Sequence, residues 1–349
     1  MKKYCIIAEV LIGLLTVAII VVCLSYKIGI SPVSENNEEK YINIPANSTY
    51  LSISSILKEN NLIKSELAYK FYVKIFEPNN LKEGTYILKE NMGVKVLVDT
   101  LEGNTYVNEL SYTIPEGKRL KEIASIISSK TNIKEQELLD YWNNSDVLDS
   151  LINKYWFLTK DIKNKDLKYP LEGYLFPDTY SILEESTKEE ITYKMLDRMD
   201  EILSKYKDDI NKSEFSIHEI ITLASIIEYE AGLDKDRPMI AGVFINRLEI
   251  GQKLQSCVTV GYSLDIWKPS YNYDELDFDS PYNTYKYAGL PIGPINLPGE
   301  ESLKAALYPS SHDYYYFIAD LDDPNHATYY AKTYSEHSQN CLKYLGYSC

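Results

Sequence analysis

Basic residues are scarce in this chain. Arginine occurs only as Arg119, Arg198, Arg237 and Arg247, and the formal net charge is −15. No basic surface is evident to neutralise phosphates, which argues against a nucleic-acid partner. Cysteine is also thin. The five, Cys5, Cys23, Cys257, Cys341 and Cys349, form no CxxC pair, so their spacing indicates neither a metal site nor a disulfide framework. The histidines, His218, His312, His326 and His337, are scattered, and His218-Glu219 lacks the second histidine of a zinc-binding HExxH helix. No metal or organic cofactor is expected.

What the chain does have is tyrosine, 32 of its 349 residues, within a composition 45% hydrophobic and 25% charged. That is ordinary globular material, long enough for two or three domains. It also has one long apolar run. Lys2 and Lys3 precede YCIIAEVLIGLLTVAIIVVCLSY, and the acidic SENNEE (34–39) follows. About 20 apolar residues cross a bilayer core as a helix, and the run lacks a small-x-small cleavage site. The lysine asymmetry places the N-terminus in the cytoplasm and the remainder outside. The expected order is a cytoplasmic tail at 1–3, a single transmembrane helix at 4–26 and a linker at 27–40.

Beyond the linker the chain echoes itself. IPANSTYLSISSILKENNLI (44–63) aligns with IPEGKRLKEIASIISSKTNI (114–133) at a constant offset, matching Ile44 with Ile114, Pro45 with Pro115, Ile53 with Ile123, Ile56 with Ile126 and Ile63 with Ile133. In each copy a strand ends in Ile-Pro and a helix begins with apolar residues at i, i+3 and i+4. Between the copies, Gly84 to Leu88 reads as a strand and the next segment as a helix closed by Gly103. This β-α-α-β order resembles LysM-like modules, which hold glycans; a spacer without a ligand fits the pattern equally. The module is expected over 41–110, a second α/β segment with connecting helices over 111–170, and an α+β domain over 171–349. Leu254 to Pro298 reads as loops, and DYYYFIAD (313–320) as a strand.

SIHEIITLASIIEYEAG (216–232) is the most informative stretch. Ser216 and Glu219 form a capping-box signature, Gly232 is placed to close the helix, and two acids, Glu228 and Glu230, stand at its far end. Residues two apart on a helix do not face each other, so these are not a carboxylate pair. Either, desolvated, would have its pKa raised toward the value a general acid needs. Periodicity does not choose between them. The structural alternative is that one is solvated and the other salt-bridged to Arg237 or Arg247.

ASIIEYEAG, IAGVFINRL, LQSCVTVGY, SPYNTY, GLPIGPINLPG, ESLKAALYP, YYYFIAD and KTYSEH follow one another in this chain, preceded by IPEG and LEGYLFPDTY. Together they resemble the endolytic murein transglycosylase family (YceG-like, MltG-type) over nearly the whole length. The resemblance implies a membrane-anchored bacterial lyase. It would cut MurNAc-GlcNAc bonds within nascent peptidoglycan glycan strands, leave 1,6-anhydro-MurNAc ends and so terminate elongation. It further implies that the first acid of the helix, Glu228, is catalytic. Gln255, Tyr282, Asn283, Thr284, Tyr285 and Glu230 are expected to bind substrate, with peptidoglycan synthases as possible partners. Arg247 is expected to pair with an acid, Glu172 to line the cleft or cap a turn, and Glu336-His337 to lie near the site or brace it. Cys257 stands where many members have aspartate, and Thr328-Tyr329-Tyr330, with His326 displaced by two, replaces their His-x-Phe. A non-catalytic, membrane-anchored peptidoglycan-binding scaffold is the alternative function, and a two-carboxylate hydrolase a more remote one.

Overall fold

In a computed structural model the chain separates into two compact units, residues 1–109 and 110–349. The structure describes residues 2–103, 109–183, 186–268, 270–319 and 327–346, with side chains from residue 13 onward. His326, Cys349, the last residue of the 313–320 strand and the side chains of the first half of the expected membrane span lie outside the described residues.

The first unit opens with α1 (Lys2–Gly29), whose described apolar side chains, Leu14 to Leu24, are exposed. Among the described residues no helix is long and apolar enough to cross a membrane. There follow β1 (Lys40–Ile44), α2 (Ser54–Glu59), α3 (Glu66–Phe76), β2 (Gly84–Leu88) and α4 (Val94–Glu102). β1 pairs antiparallel with β2, Ile42 opposite Tyr86 and Ile44 opposite Gly84. Period-two alternation turns Ile42, Ile44, Tyr86 and Leu88 onto one face, where α2, α3 and α4 cover them with Leu57, Tyr69, Val73 and Leu97. Ser65 caps α3 by accepting from the Ala68 N–H, and α4 stops at Gly103 as its sequence predicts.

The second unit contains β3 (Glu109–Thr113), α5 (Leu120–Ser128), α6 (Glu135–Trp142), α7 (Ser145–Lys154), β4 (Thr179–Leu183), α8 (Lys188–Ser204), α9 (Lys207–Lys212), α10 (Ile217–Glu230), α11 (Arg237–Glu249), α12 (Cys257–Leu264), α13 (Tyr273–Leu276), α14 (Glu300–Leu307), β5 (Tyr316–Ala319), β6 (Thr328–Ala331) and α15 (Tyr334–Asn340). β3 joins β4, and β5 pairs antiparallel with β6. The chain is therefore mixed α+β, as expected. One apolar core takes Ile123 and Trp142 together with Ile221, Phe244 and Leu303. The echoed isoleucines play matching parts: Ile44 ends its strand and Ile114 directly follows one, and Ile53 and Ile123 are fully buried at or near helix starts.

Several expectations need correction. Residues 254–298 are not all loop, since α12 and α13 lie within them. α12 starts where Thr259 Oγ1 bonds the Ser256 carbonyl, local bonding that Gly, Pro and Asn frequency does not reveal. α10 does not end on a left-handed glycine; its last turn closes on Ala231, which is extended. Cys341 is disulfide-bonded, against the reading of unpaired spacing, while Cys23 and Cys257 are free.

Candidate active site

α10 is the centre of the second unit, and its residues from Ile220 to Ile227 are buried. The capping box holds its start: Ser216 Oγ accepts from the Glu219 N–H, and the Glu219 carboxylate accepts from the Ser216 N–H. Ser225 is buried and holds the Ile295 N–H, while Asn296 donates to the Ser225 carbonyl, so the GLPIGPINLPG loop is stitched to the helix.

The two acids at its end have different surroundings. The Glu228 carboxylate, 6% exposed, accepts from the Gly299 N–H at 2.9 Å and Ser302 Oγ at 2.8 Å, and lies 3.2 Å from Arg237 Nη1. It thereby caps α14, whose first free amides need acceptors. Glu116 of IPEG crowds the same place: a Cβ on Gly299 would sit 2.0 Å from Glu116 Oε1, so a larger residue there would push the Glu116 carboxylate aside. Burial, then the neighbouring Glu228 charge, push the Glu116 pKa up. The salt bridge to Arg237 is the structural alternative that the sequence left open for one of the two acids.

Glu230 instead lines a cleft of about 810 Å³. Burial raises its carboxyl pKa, opposed by a hydrogen bond from Ser256 Oγ (2.5 Å to Oε1) and by the Arg247 charge. Ser256 is itself fixed, because its N–H donates to Thr284 Oγ1 at 3.1 Å. Arg247 is buried and, among the described residues, makes no ion pair of the expected kind. It donates to the carbonyls of Tyr315 and Leu254 and lies over the Tyr316 ring. Glu230 is the one carboxylate lining this cleft among the described residues.

The expected binding residues divide. Gln255 and Tyr285 line the cleft with Glu230. Gln255 is held at a φ of 49°, a left-handed conformation secured by its N–H on the Thr284 carbonyl. Tyr282, Asn283 and Thr284 do not line it. Tyr282 is 1% exposed, and its OH accepts from the Lys168 N–H. Asn283 Nδ2 donates to the carbonyls of Leu276 and Phe278, so the amide braces the loop. Thr284 positions Ser256, as above. The polar YNTY run reads as sugar-binding in sequence because its groups look free; in the fold each buried one has a protein partner.

Sequence reasoning did not single out Ser256, although it stands in the quoted LQS motif. It left His337 undecided. His337 lines the cleft and stacks on Tyr316, with ring centroids 5.2 Å apart, and its buried Nδ1 has no hydrogen-bond partner. Its neighbour Glu336 caps α15 by accepting from the Lys332 and Thr333 N–H groups. Glu172 lies outside the cleft, fully buried; it accepts from the Leu120 N–H at 2.7 Å and Tyr262 OH at 3.0 Å, and burial pushes its pKa up to about 8. Cys257 lines the cleft beside Tyr285 OH, 3.1 Å away, with its thiol pKa pushed up by burial. Among the described residues no group of three or more His, Cys, Asp or Glu side chains is arranged to hold a metal ion.

Known proteins match nearly all of this chain. The family model for the YceG-like family matches residues 42–343. The endolytic murein transglycosylase of Bacillus subtilis (strain 168) is 37% identical over 306 residues, 87% of this chain and 84% of that protein. The protein of the same name from Streptococcus pneumoniae serotype 2 (strain D39) is 32% identical over 328 residues, and the match spans 88% of this chain but 59% of that longer protein. The crystal structure of a yceG-like protein, lmo1499, from Listeria monocytogenes is similar with a TM-score of 0.62 and 38% identity, covering 86% of this chain and 99% of that one. The chain belongs to the YceG-like family. It is an enzyme of the lyase class, in the company of lytic transglycosylases.

Proposed function

We propose that this chain cleaves MurNAc-GlcNAc bonds inside peptidoglycan glycan strands, leaves 1,6-anhydro-MurNAc ends, and uses Glu230 as its single acid and base. The observation that carries this is the pairing of one cleft with one carboxylate, whose pKa burial raises. Hydrolases that retain or invert usually need two carboxylates about 5–10 Å apart. An intramolecular transglycosylation needs one. Glu230, protonated, gives its proton to the glycosidic oxygen as the C1–O bond breaks. As carboxylate it then takes the proton of the C6 hydroxyl of the same sugar, whose oxygen bonds C1. The nucleophile is already held in place, which supplies the effective molarity. Ser256 and Arg247 stabilise the carboxylate form needed for the second half. Glu228, the acid that the resemblance suggested, is committed to Gly299, Ser302 and Arg237, and a proton donor so engaged is poorly placed to reach a glycosidic oxygen.

The wider setting is part of the same proposal. Residues 4–26 anchor the chain as a single-pass helix with a cytoplasmic N-terminus, and the cut terminates growing strands beside peptidoglycan synthases. The first unit acts as a LysM-like glycan holder. Its β1–α2 and α3–β2 loops border a groove of about 370 Å³ lined by Thr49, Asn79 and Asn80, and the buried Tyr50 OH there has no hydrogen-bond partner.

Mass analysis of products from uncrosslinked glycan strands tests the reaction, with wild type, Glu230→Gln and Glu228→Gln side by side. Anhydro ends from wild type and Glu228→Gln but not Glu230→Gln are expected. Hydrated reducing ends would make the enzyme a hydrolase, and binding without cleavage by any of the three would make it a scaffold.

A further inference from the structure

The exposed face of α3 is apolar where a surface helix is ordinarily polar. Leu67, Phe71 and Ile75, at i, i+4 and i+8, are 81%, 56% and 53% exposed, and Phe76 beside them is 61% exposed. The opposite face, Ala68, Tyr69, Tyr72 and Val73, is buried in the core of the first unit, so the stripe is not a core face turned outward by mistake of register. Lys74 is exposed within the stripe, and Lys70 lies at its edge, partly exposed.

What covers the stripe follows from its neighbour. The end of α1 packs on α3 at two levels. Gly29 lies against Ala68, leaving no space for a side chain, and Tyr26 meets Phe71 edge-on with centroids 5.4 Å apart. Moving back three residues in α1 moves forward three in α3, so the two helices run antiparallel there. Lys64 Nζ ties the start of α3 to Ser31 Oγ at 3.0 Å, fixing this arrangement. Extending the register puts Ile75 and Phe76 about one turn, roughly 5 Å, further toward the apolar body of α1 than Tyr26. Leu14 to Leu24 of that body are exposed apolar side chains, and the Tyr26–Phe71 contact joins the end of α1 to the stripe.

We propose that α3 is an interfacial helix, its Leu67–Phe71–Ile75 stripe and Phe76 seated in the headgroup and upper acyl region of the bilayer that α1 enters. Apolar side chains in that zone, with lysines reaching back to the phosphates, are the chemistry of a helix lying on a lipid surface. The first unit is then held against the membrane and does not swing on the linker. This rests on the reading of α1 as a membrane anchor.

The test uses the full chain in phosphatidylcholine–phosphatidylglycerol vesicles, with a benzophenone-bearing residue at position 17 in α1, position 75 in α3, or position 59 at the exposed end of α2. Photolysis followed by mass analysis scores lipid adducts. Adducts at 17 and 75 and their loss at 59 are the expected result. Adducts at 17 without 75 overturn the proposal and leave the anchor standing. Adducts at neither overturn both. An adduct from 75 to protein and not to lipid means that a protein surface covers the stripe, which also overturns it.

Discussion

Glu228 and Glu230, two residues apart at the end of α10, hold their carboxylates against different elements: Glu228 against the first turn of α14 through Gly299 and Ser302, Glu230 against Ser256 at the wall of the cleft. The offset of about 200° per two helical residues makes this separation unavoidable. The two acids should fail differently when changed. Glu230→Gln keeps the shape and loses the proton, so turnover should fall by roughly three orders of magnitude or more, with little change in melting temperature. Glu228→Gln leaves the buried Arg237 with only the more exposed Asp234 as an ion-pair partner, at a cost of about 2 kcal/mol, which lowers the melting temperature by roughly 4–8 °C while turnover at low temperature persists. Turnover assays and thermal melts on both variants check this. A dead but fully stable Glu228→Gln would return the catalytic role to Glu228.

Ser256 should set the working pH. Its hydrogen bond favours the charged form of Glu230 against the burial that opposes it. Ser256→Ala removes that favour, so the Glu230 pKa should rise further and the alkaline limb of the pH–rate profile should move to higher pH. Turnover at the optimum should fall about tenfold as the carboxylate loses its fixed rotamer. A pH–rate profile that keeps its limbs while only the amplitude falls would show that Ser256 braces α12 and does not tune the acid.

Much of this was legible in sequence, and the parts that were not share a cause. α10, α11, α4 and β2 could be read because caps, a first-turn Pro238 and period-two alternation are local signals. The order of short motifs pointed to the family. Where each of Glu228 and Glu230 is held was not legible, since it depends on Gly299, Ser302 and Arg237 on one side and Ser256 on the other, partners between 9 and 74 positions away. The same holds for Asn283, whose amide looks available until the carbonyls of Leu276 and Phe278 fold onto it. Asn283→Ala should therefore leave KM unchanged and destabilise by about 1 kcal/mol, two part-exposed acceptors losing their donor. A raised KM at unchanged stability would restore it to the substrate site.

Glu172 makes the fold sensitive to pH. Its carboxyl titrates near 8 in the folded protein against an ordinary value of 4.5, because burial disfavours the charge. A value raised by folding means that the folded state holds the proton more tightly. The contribution is therefore complete below the ordinary value and is lost as pH rises from about 4.5 to 8. Glu172→Gln keeps an acceptor for the Leu120 N–H without an ionisable proton. The difference in melting temperature, wild type minus variant, should fall steadily across that window, by roughly 10–19 °C in all. A constant difference across the window would mean that Glu172 stays charged.

His337 should give the cleft a binding preference. Its Nε2 lies 3.9 Å from Cys341 Sγ, and a disulfide sulfur has no proton to give; in the tautomer that carries its proton on Nε2, Nδ1 is left as an acceptor. Burial, then the Arg247 charge, lower the ring's pKa, which keeps that acceptor unprotonated. A buried acceptor without a partner is costly, about 1–3 kcal/mol, and a hydroxyl or acetamido N–H of a bound sugar would recover it. His337→Phe preserves the stack on Tyr316 and removes the acceptor. It should raise KM for glycan strands about tenfold with kcat nearly unchanged, the pattern of an interaction made equally in ground and transition states. If kcat falls and KM holds, His337 acts on the reacting centre instead, and the proton inventory of the reaction has to include it.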